Sequence, residues 1–351
     1  GVSALGAGAG VGPLPEHLGE ALARAGLPFT EAAAPLPHPT GRLVACGHAA
    51  PAHGVAPAAG TLVCGIEGLP GFHAPILARL WGAAASVELE ARTLVAGATP
   101  AGGWSPVALA ARLDRECGPL AEALARAVRE TGATRVILPA VLGLERADAV
   151  RAALTDAAGV PVGEALGVPP SLPGWRLDRA LDAVLVAAKV EVVRGRVVGR
   201  ETAGRRVGAV VAHALDGDPA EPLLRLEAGH FVLATGKFLA GGIRADDRFE
   251  EPALGCPVRV EHLGQTFEAP DRLALTHPDR RDDQPLLRVG VHTDDRARPV
   301  DRRGDVVYEN VAVAGSVRAG HDPATLGLGF AAADGWRAGE LAVDTAPGGV
   351  S

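Results

Sequence analysis

Phe231-Val232-Leu233-Ala234-Thr235-Gly236 and Asn310-Val311-Ala312-Val313-Ala314-Gly315-Ser316 are each an apolar strand that runs directly into small residues. β-Branched and aromatic side chains favour the extended chain. Small residues at the strand end let the next turn pass close to a bound group. Either stretch alone carries little, because many strands end in a tight turn. The second, however, continues through Gly320, Asp322-Pro323, Gly327 and Gly329 into a helix predicted over residues 324–341. A strand that feeds glycines and a helix N-terminus makes a site for negative or electron-rich groups, because unpaired N–H groups and the helix dipole both point at it.

Upstream of these stretches the pattern alternates. Thr61–Ile66 is a compact apolar run that reads as a buried strand, and residues 73–85 follow with Ile76, Leu77, Leu80, Trp81 and Ala84 on one helical face. Residues 86–91 alternate like a strand. Pro119 stands at a helix start, Leu120, Leu124 and Val128 repeat along that helix, and Gly132 closes it. Residues 134–138 read as a strand, 147–157 as a helix and 160–166 as a strand. Strands alternating with helices predict an α/β layer with largely parallel pairing. A helix over residues 172–188 places Leu177, Leu181 and Leu185 in register. Residues 190–193, 197–198, 207–214 and 223–226 then read as short strands of a β-meander. Residues 251–300 are charged, Pro-bearing and irregular.

Composition excludes several function classes. The 351 residues are 48% hydrophobic, enough for a sizeable core, and the formal net charge is −7. A mildly acidic chain with 3% aromatic residues is a poor nucleic-acid binder, lacking both basic stripes and stacking surfaces. Lys stands only at Lys189 and Lys237, Asn only at Asn310, and Met nowhere. Cys46, Cys64, Cys117 and Cys256 are scattered without a C-x-x-C pair, so no metal site is expected, and Cys64 and Cys256 read as small buried residues. The uncharged stretch 43–66 is broken by Pro51, Pro57 and glycines and does not read as a membrane span. Gly6–Gly12 looks like a phosphate-binding glycine loop. No strand precedes it, Pro13 and Pro15 follow, and the G-x-G-x-x-G spacing is not met, so it reads as a plain loop.

A strand ending in Ala-Thr-Gly, paired with a C-terminal strand and glycine turn, is a feature of two-dinucleotide flavoproteins, although an acid usually stands where this chain has Ser316. Further segments make the match specific: Gly65-Ile66-Glu67-Gly68-Leu69 with Phe72, Leu138-Pro139-Ala140 with Gly143-Leu144, Pro169-Pro170-Ser171 with Gly174 and Arg176-Leu177, and Gly290-Val291-His292-Thr293-Asp294-Asp295 with Arg298-Pro299. Phe238, Gly241-Gly242, Glu251-Pro252 and Leu254-Gly255 extend it. In this order and spacing the chain resembles the B subunit of the anaerobic glycerol-3-phosphate dehydrogenase.

The resemblance implies an α/β, FAD/NAD(P)-binding Rossmann-like three-layer fold with an α/β insertion and a small β-meander. It divides the chain into a discontinuous flavin-binding domain, residues 1–60 and 167–351, and an inserted α/β domain, residues 61–166. Family members open with a strand and a G-x-G-x-x-G helix, roughly thirty residues, that this sequence lacks. Ser3-Ala4-Leu5 would fall just after the second strand, so the first βαβ unit is expected to be missing. The resemblance also implies oxidation of sn-glycerol 3-phosphate to dihydroxyacetone phosphate in anaerobic glycerol metabolism, with FMN, or FAD, as cofactor. It implies two partners, an FAD-bearing A subunit and an iron–sulfur C subunit that passes electrons to quinone. The protein would be cytoplasmic, held at the inner membrane face only through those partners.

The cofactor-binding residues so implied are Ala234, Thr235, Gly236, Gly241, Gly242, Gly315, Ser316, Gly327 and Gly329. Arg176 and Arg298 are candidates for the substrate phosphate, since a guanidinium fork suits that dianion. The other reading of each is an arginine paired with Asp or Glu. His292 and His321 read as hydrogen-bonded structural histidines rather than proton acceptors, and no catalytic base is assigned. Two rivals remain: a flavin-dependent dehydrogenase or reductase of another substrate, and a non-catalytic scaffold or electron relay.

Overall fold

The computed structural model describes residues 16–32, 34–168, 171–215, 223–279, 282, 284–322 and 327–344. The chain forms two compact units, Glu16–Val190 and the described residues of Glu191–Ser351. Residues 16–60 and 167–190, assigned by the sequence to the flavin domain, fall in the first of these units.

The first unit opens with α1 (Glu16–Arg24) and four two-residue strands, β1 (Thr30–Glu31), β2 (Leu36–Pro37), β3 (Leu43–Val44) and β4 (His48–Ala49). β1 pairs with β4 and β2 with β3. Then come β5 (Thr61–Ile66), α2 (Ala74–Ala85), β6 (Glu90–Leu94), α3 (Pro106–Arg115), α4 (Gly118–Thr131), β7 (Arg135–Leu138), α5 (Ala147–Ala158), β8 (Val162–Glu164) and α6 (Leu172–Ala187). Strands β6-β5-β7-β8 form one parallel sheet in that order. The apolar run of β5 is explained by burial on both faces. Leu62, Cys64 and Ile66 pack with Leu109 of α3, Leu124 of α4 and Leu154 of α5, while Val63 packs with Leu77 and Trp81 of α2.

Local signals set the helix ends. Ser105 caps α3 by accepting from the N–H of Ala108 at 3.1 Å, with Pro106 in the first turn. Gly132 ends α4 in the left-handed region, as its position in the sequence predicted. Two expectations shift, and one helix is additional. The strand expected over 86–91 starts at Glu90, because Ser86 is the left-handed cap of α2. Helix α3 was not read at all, since its inward face is only Leu109, Ala110 and Leu113. In α6 the buried face is Leu172, Arg176 and Ala180, and Leu181 is exposed.

The second unit starts with the meander β9 (Gly195–Ala203), β10 (Arg206–Ala214) and β11 (Leu224–Glu227), antiparallel in the order β11-β10-β9. Residues 190–193, expected as a strand, form none. Next come β12 (Phe231–Leu233), β13 (Arg244–Ala245), β14 (Phe249–Glu250), β15 (Val258–His262), β16 (Gln265–Phe267), α7 (Arg272–Leu275), β17 (Gly290–Val291), β18 (Val311–Val313) and α8 (Gly327–Asp344). Strands β15, β16 and β17 form a small antiparallel sheet in the region expected to be irregular. β12 and β18 pair in parallel, Phe231 opposite Val311 and Leu233 opposite Val313.

The Val-Ala-Val-Ala alternation of β18 sorts its two faces. Val311 and Val313 enter the main core with Leu233, Val258 and Val291. Ala312 and Ala314 meet Ala338 of α8 and Ala297, so the small side chains let the helix lie close. Among the described residues no helix is long and apolar enough to cross a membrane.

Asn310, at the start of β18, is buried. Its Oδ1 accepts from the N–H of Val207 at 2.9 Å, and its Nδ2 donates to the carbonyls of Val207 at 2.8 Å and Gly229 at 3.0 Å. Asn310→Ala would leave these backbone groups without partners. It is expected to destabilise the protein by roughly 2–4 kcal/mol, read as a lower midpoint in guanidinium denaturation. A midpoint equal to wild type would show that the side chain does not hold the meander to β18.

Candidate functional site

The carboxyl ends of β12 and β18 bring two turns together. After β12, Gly236 takes a φ of +76°, and a Cβ placed on it would stand 3.9 Å from Ser316 Oγ in the turn after β18. Gly315 has a φ of +71°, which favours glycine. The chain after Gly236 folds back on itself, with the N–H of Gly242 donating to the Lys237 carbonyl at 3.0 Å. A Cβ on Gly242 would lie 2.2 Å from the Gly236 carbonyl oxygen and 2.7 Å from Thr235 Oγ1, so its backbone seats directly on the first turn. Thus Ala234, Thr235, Gly236, Gly241 and Gly242 form one folded-back loop next to Gly315 and Ser316. Gly327 and Gly329 lie in the first turn of α8.

A buried carboxylate ties α8 to the second turn. Asp334 accepts from the N–H of Gly315 at 2.9 Å and from Arg318 at 2.6 Å, and Arg318 Nε donates to Thr293 Oγ1 at 3.1 Å. The acid that serves this turn therefore comes from α8, while position 316 holds serine.

Lys237 was not singled out from the sequence. Its ammonium is buried, donating to the Leu287 carbonyl and, at 2.7 Å, to the His321 carbonyl. Burial pushes its pKa down to about 8, partly opposed by Asp322. It joins the first turn to the segment that leads to α8. Two polar atoms here are shut off from solvent without a hydrogen-bond partner, Thr235 Oγ1 and His321 Nδ1.

The arginines proposed for the substrate phosphate are each held by a carboxylate. Arg176, in the first unit, donates from Nε to the Gly143 carbonyl at 2.8 Å and through its fork to Glu164, which is fully buried. Glu164 also accepts from the N–H of Leu142 at 3.0 Å. Arg298, in the second unit, is half-buried and grips Asp294 Oδ2 from Nε at 2.8 Å and from its terminal nitrogen at 2.7 Å. Burial works against ionisation of Asp294, but the bonds from Arg298 outweigh it and hold the carboxyl below its usual range. Arg298 borders a small cleft with His230, Phe231 and Asn310, at the amino ends of β12 and β18. The glycine turns lie at the other ends.

His292 faces Arg259 and Glu261, with burial and then Arg259 lowering its pKa. Cys64 and Cys256 are buried free thiols, the first pushed by burial to about 12. Gly6–Gly12, Pro169, Pro170 and Pro323 lie outside the described residues.

A parallel strand pair ending in two adjoining glycine turns, with a helix opening beside them, defines a nucleotide-cofactor protein of the α/β class. Residues 39–329 match the model of the FAD binding domain family, and the chain belongs to that family. It is similar to the probable B subunit of anaerobic glycerol-3-phosphate dehydrogenase from Halobacterium salinarum, 36% identical over 232 residues, which cover 64% of this chain and 51% of the relative. It is also similar to the B subunits of anaerobic glycerol-3-phosphate dehydrogenase from Yersinia pestis (32% over 229 residues, 60% of this chain and 46% of the relative) and from Pectobacterium atrosepticum (30% over 274 residues, 76% and 61%). The chain spans about half the length of the first of these curated relatives. No solved structure matches it.

The family match supports FAD, the second of the two flavins that the sequence left open. The turns fit such a group. Gly236 and Gly315 take the left-handed φ that favours glycine, Thr235 Oγ1 and His321 Nδ1 are buried polar atoms without partners, and α8 begins nearby. A flavin held at these turns would supply a two-electron acceptor there.

Arg176→Met would remove the guanidinium partner of the buried Glu164 carboxylate and is expected to cost about 3–5 kcal/mol. Joint replacement of both residues by apolar ones should restore much of that loss in thermal unfolding. Gly242→Ala is expected to displace the Thr235–Gly236 peptide, costing about 1–3 kcal/mol and weakening FAD binding. Gly241→Ala, which meets nothing within 4 Å, should cost only its left-handed strain, about 1 kcal/mol. Equal FAD affinity in the two glycine variants would contradict the close seating of Gly242.

Proposed function

We propose that the chain is part of a flavin-dependent oxidoreductase subunit that serves the oxidation of sn-glycerol 3-phosphate to dihydroxyacetone phosphate. Electrons would leave for quinone by way of an iron–sulfur partner, and a second, FAD-bearing partner would complete the assembly. The observation that carries the flavin part is the meeting of the Thr235–Gly236 and Gly315–Ser316 turns within the stretch matched to the FAD binding domain family. The substrate, and the existence of partner subunits, are supported by the shared name of the relatives; the iron–sulfur and FAD-bearing character of those partners rests on the resemblance of the sequence alone. The unit from Glu191 onward is read as the flavin-binding one, and the parallel sheet of the other unit as the inserted α/β part. Attachment to the inner membrane face would run through the partner subunits.

In this reading the turns place backbone N–H groups against the cofactor, and the Asp334 carboxylate keeps the Gly315 turn and α8 in one arrangement. Water is kept out by the seating of Gly242 on the first turn and by the buried Lys237, whose hydrogen bonds are met by backbone carbonyls. A second reading, an electron relay beside a catalytic partner, is favoured by one observation. The guanidinium forks of Arg176 and Arg298 are already held by Glu164 and Asp294.

The test is the visible spectrum of the protein from its full open reading frame, alone and with its partner subunits. A flavin spectrum bleached under anaerobic conditions by sn-glycerol 3-phosphate supports the first reading. A flavin that bleaches only when the partner is present and catalytically intact supports the relay. A protein that stays colourless after addition of FAD removes both.

A further inference from the structure

His321 is 3% exposed, and its Nδ1 has no hydrogen-bond partner. A buried polar atom left unpaired costs about 1–3 kcal/mol, a cost that a bound ligand can relieve; His292 Nε2 carries the same cost but does not lie on a segment that Lys237 joins to the glycine turns. The rest of the residue is held firmly. Its carbonyl accepts from Lys237, and its ring packs on Phe330 in the first turns of α8, with centroids 4.8 Å apart. The imidazole is therefore fixed in place with one nitrogen uncommitted. Thr235 Oγ1 is in the same condition on the other segment that Lys237 joins. Two such atoms thus lie on the two segments that one buried lysine joins.

We propose that His321 is a ligand-contacting residue whose Nδ1 hydrogen-bonds the ring system of the bound flavin, with Lys237 as its positioning residue. The inference rests on the flavin reading above. A ring edge is favoured over a phosphate by the charge state of the imidazole. Burial lowers the pKa of His321, Lys237 and Arg318 lower it further, and Asp334 and Asp322 act in the opposite sense. A neutral imidazole can donate to or accept from the carbonyl and N–H groups of a flavin ring, and it brings no charge to match a phosphate dianion. The aromatic face of Phe330 beside it suits a flat ligand as well.

The experiment is a titration of the full-length protein with FAD, comparing wild type, His321→Phe and His321→Asn. In His321→Phe the affinity should fall by roughly tenfold or more, and the visible bands of the bound flavin should shift. In His321→Asn, whose side-chain amide reaches the position of Nδ1, affinity should return to within about threefold of wild type. Independently of any variant, nuclear magnetic resonance of isotope-labelled histidine in wild type should show one ring-nitrogen signal moving on addition of FAD, and that signal should be missing from His321→Asn. If His321→Phe fails to fold, the labelled wild type decides. Wild-type affinity and spectrum in His321→Phe, or a labelled His321 unmoved by FAD, overturns the proposal and leaves the flavin reading standing. Failure of wild type to bind FAD overturns both.

Discussion

The parallel pairing of Phe231–Leu233 with Val311–Val313 is the contact on which the second unit depends. Parallel neighbours cannot be joined by a tight turn, so the long stretch between them must fold elsewhere and return. Closing so long a loop is entropically unfavourable, although the penalty grows only slowly with length. Several features of the residues offset it. Val311 and Val313 add apolar burial on one face, Ala312 and Ala314 admit α8 on the other, and Asn310 binds the meander at the strand's start. The site follows from this pairing directly. Once the strands are in register, their carboxyl ends set the Gly236 and Ser316 turns side by side, and no further contact has to be specified to bring them there.

The returning stretch is stapled by its own side chains. Glu251 is buried and accepts from the N–H groups of Ala253 at 2.7 Å and Leu254 at 2.8 Å. Asp294 does the same for Arg296 at 3.0 Å and Arg298 at 2.9 Å. These are carboxylates that organise turns. They account for Glu251-Pro252 and for Asp294 with Arg298-Pro299 as scaffolding. Both motifs mark where the loop is shaped.

What the sequence made legible was what periodicity and punctuation encode. The apolar run at 61–66, the Gly132 stop and the two strand-to-glycine junctions were all readable, because each is a local pattern with a local cause. The face of α6 was misread for a physical reason. Leucines at 177, 181 and 185 suggest the buried stripe, yet Arg176 takes an inward position because Glu164, at the end of β8, offers a buried partner. A helical wheel carries no knowledge of such a charge on another element. Asp334 was missed likewise: an acid in a helix is usually solvated, and only the fold brings it beneath Gly315. The strand at 86–91 slipped because a serine in the left-handed region is a rare helix end.

Lys237 is the residue whose signal was present and passed over. In a chain whose positive charge is almost all arginine, a lysine directly after the Ala-Thr-Gly turn stands out on composition alone. The structure supplies the reason for its chemistry. Its two acceptors, the carbonyls of Leu287 and His321, come from separate segments. The rotatable ammonium can reach both, while a planar guanidinium asks for acceptors arranged along its own fork. An ammonium can also shed its proton when buried, and here burial brings it to about 8. Around it Arg318 is already paired with Asp334, and Asp322 is the acid that draws Lys237 back toward the charged form. With these formal charges opposed, the field that a ligand meets at the turns is left chiefly to the backbone N–H groups and the end of α8. A site of that kind suits a large cofactor of mixed polarity better than a small, highly charged one.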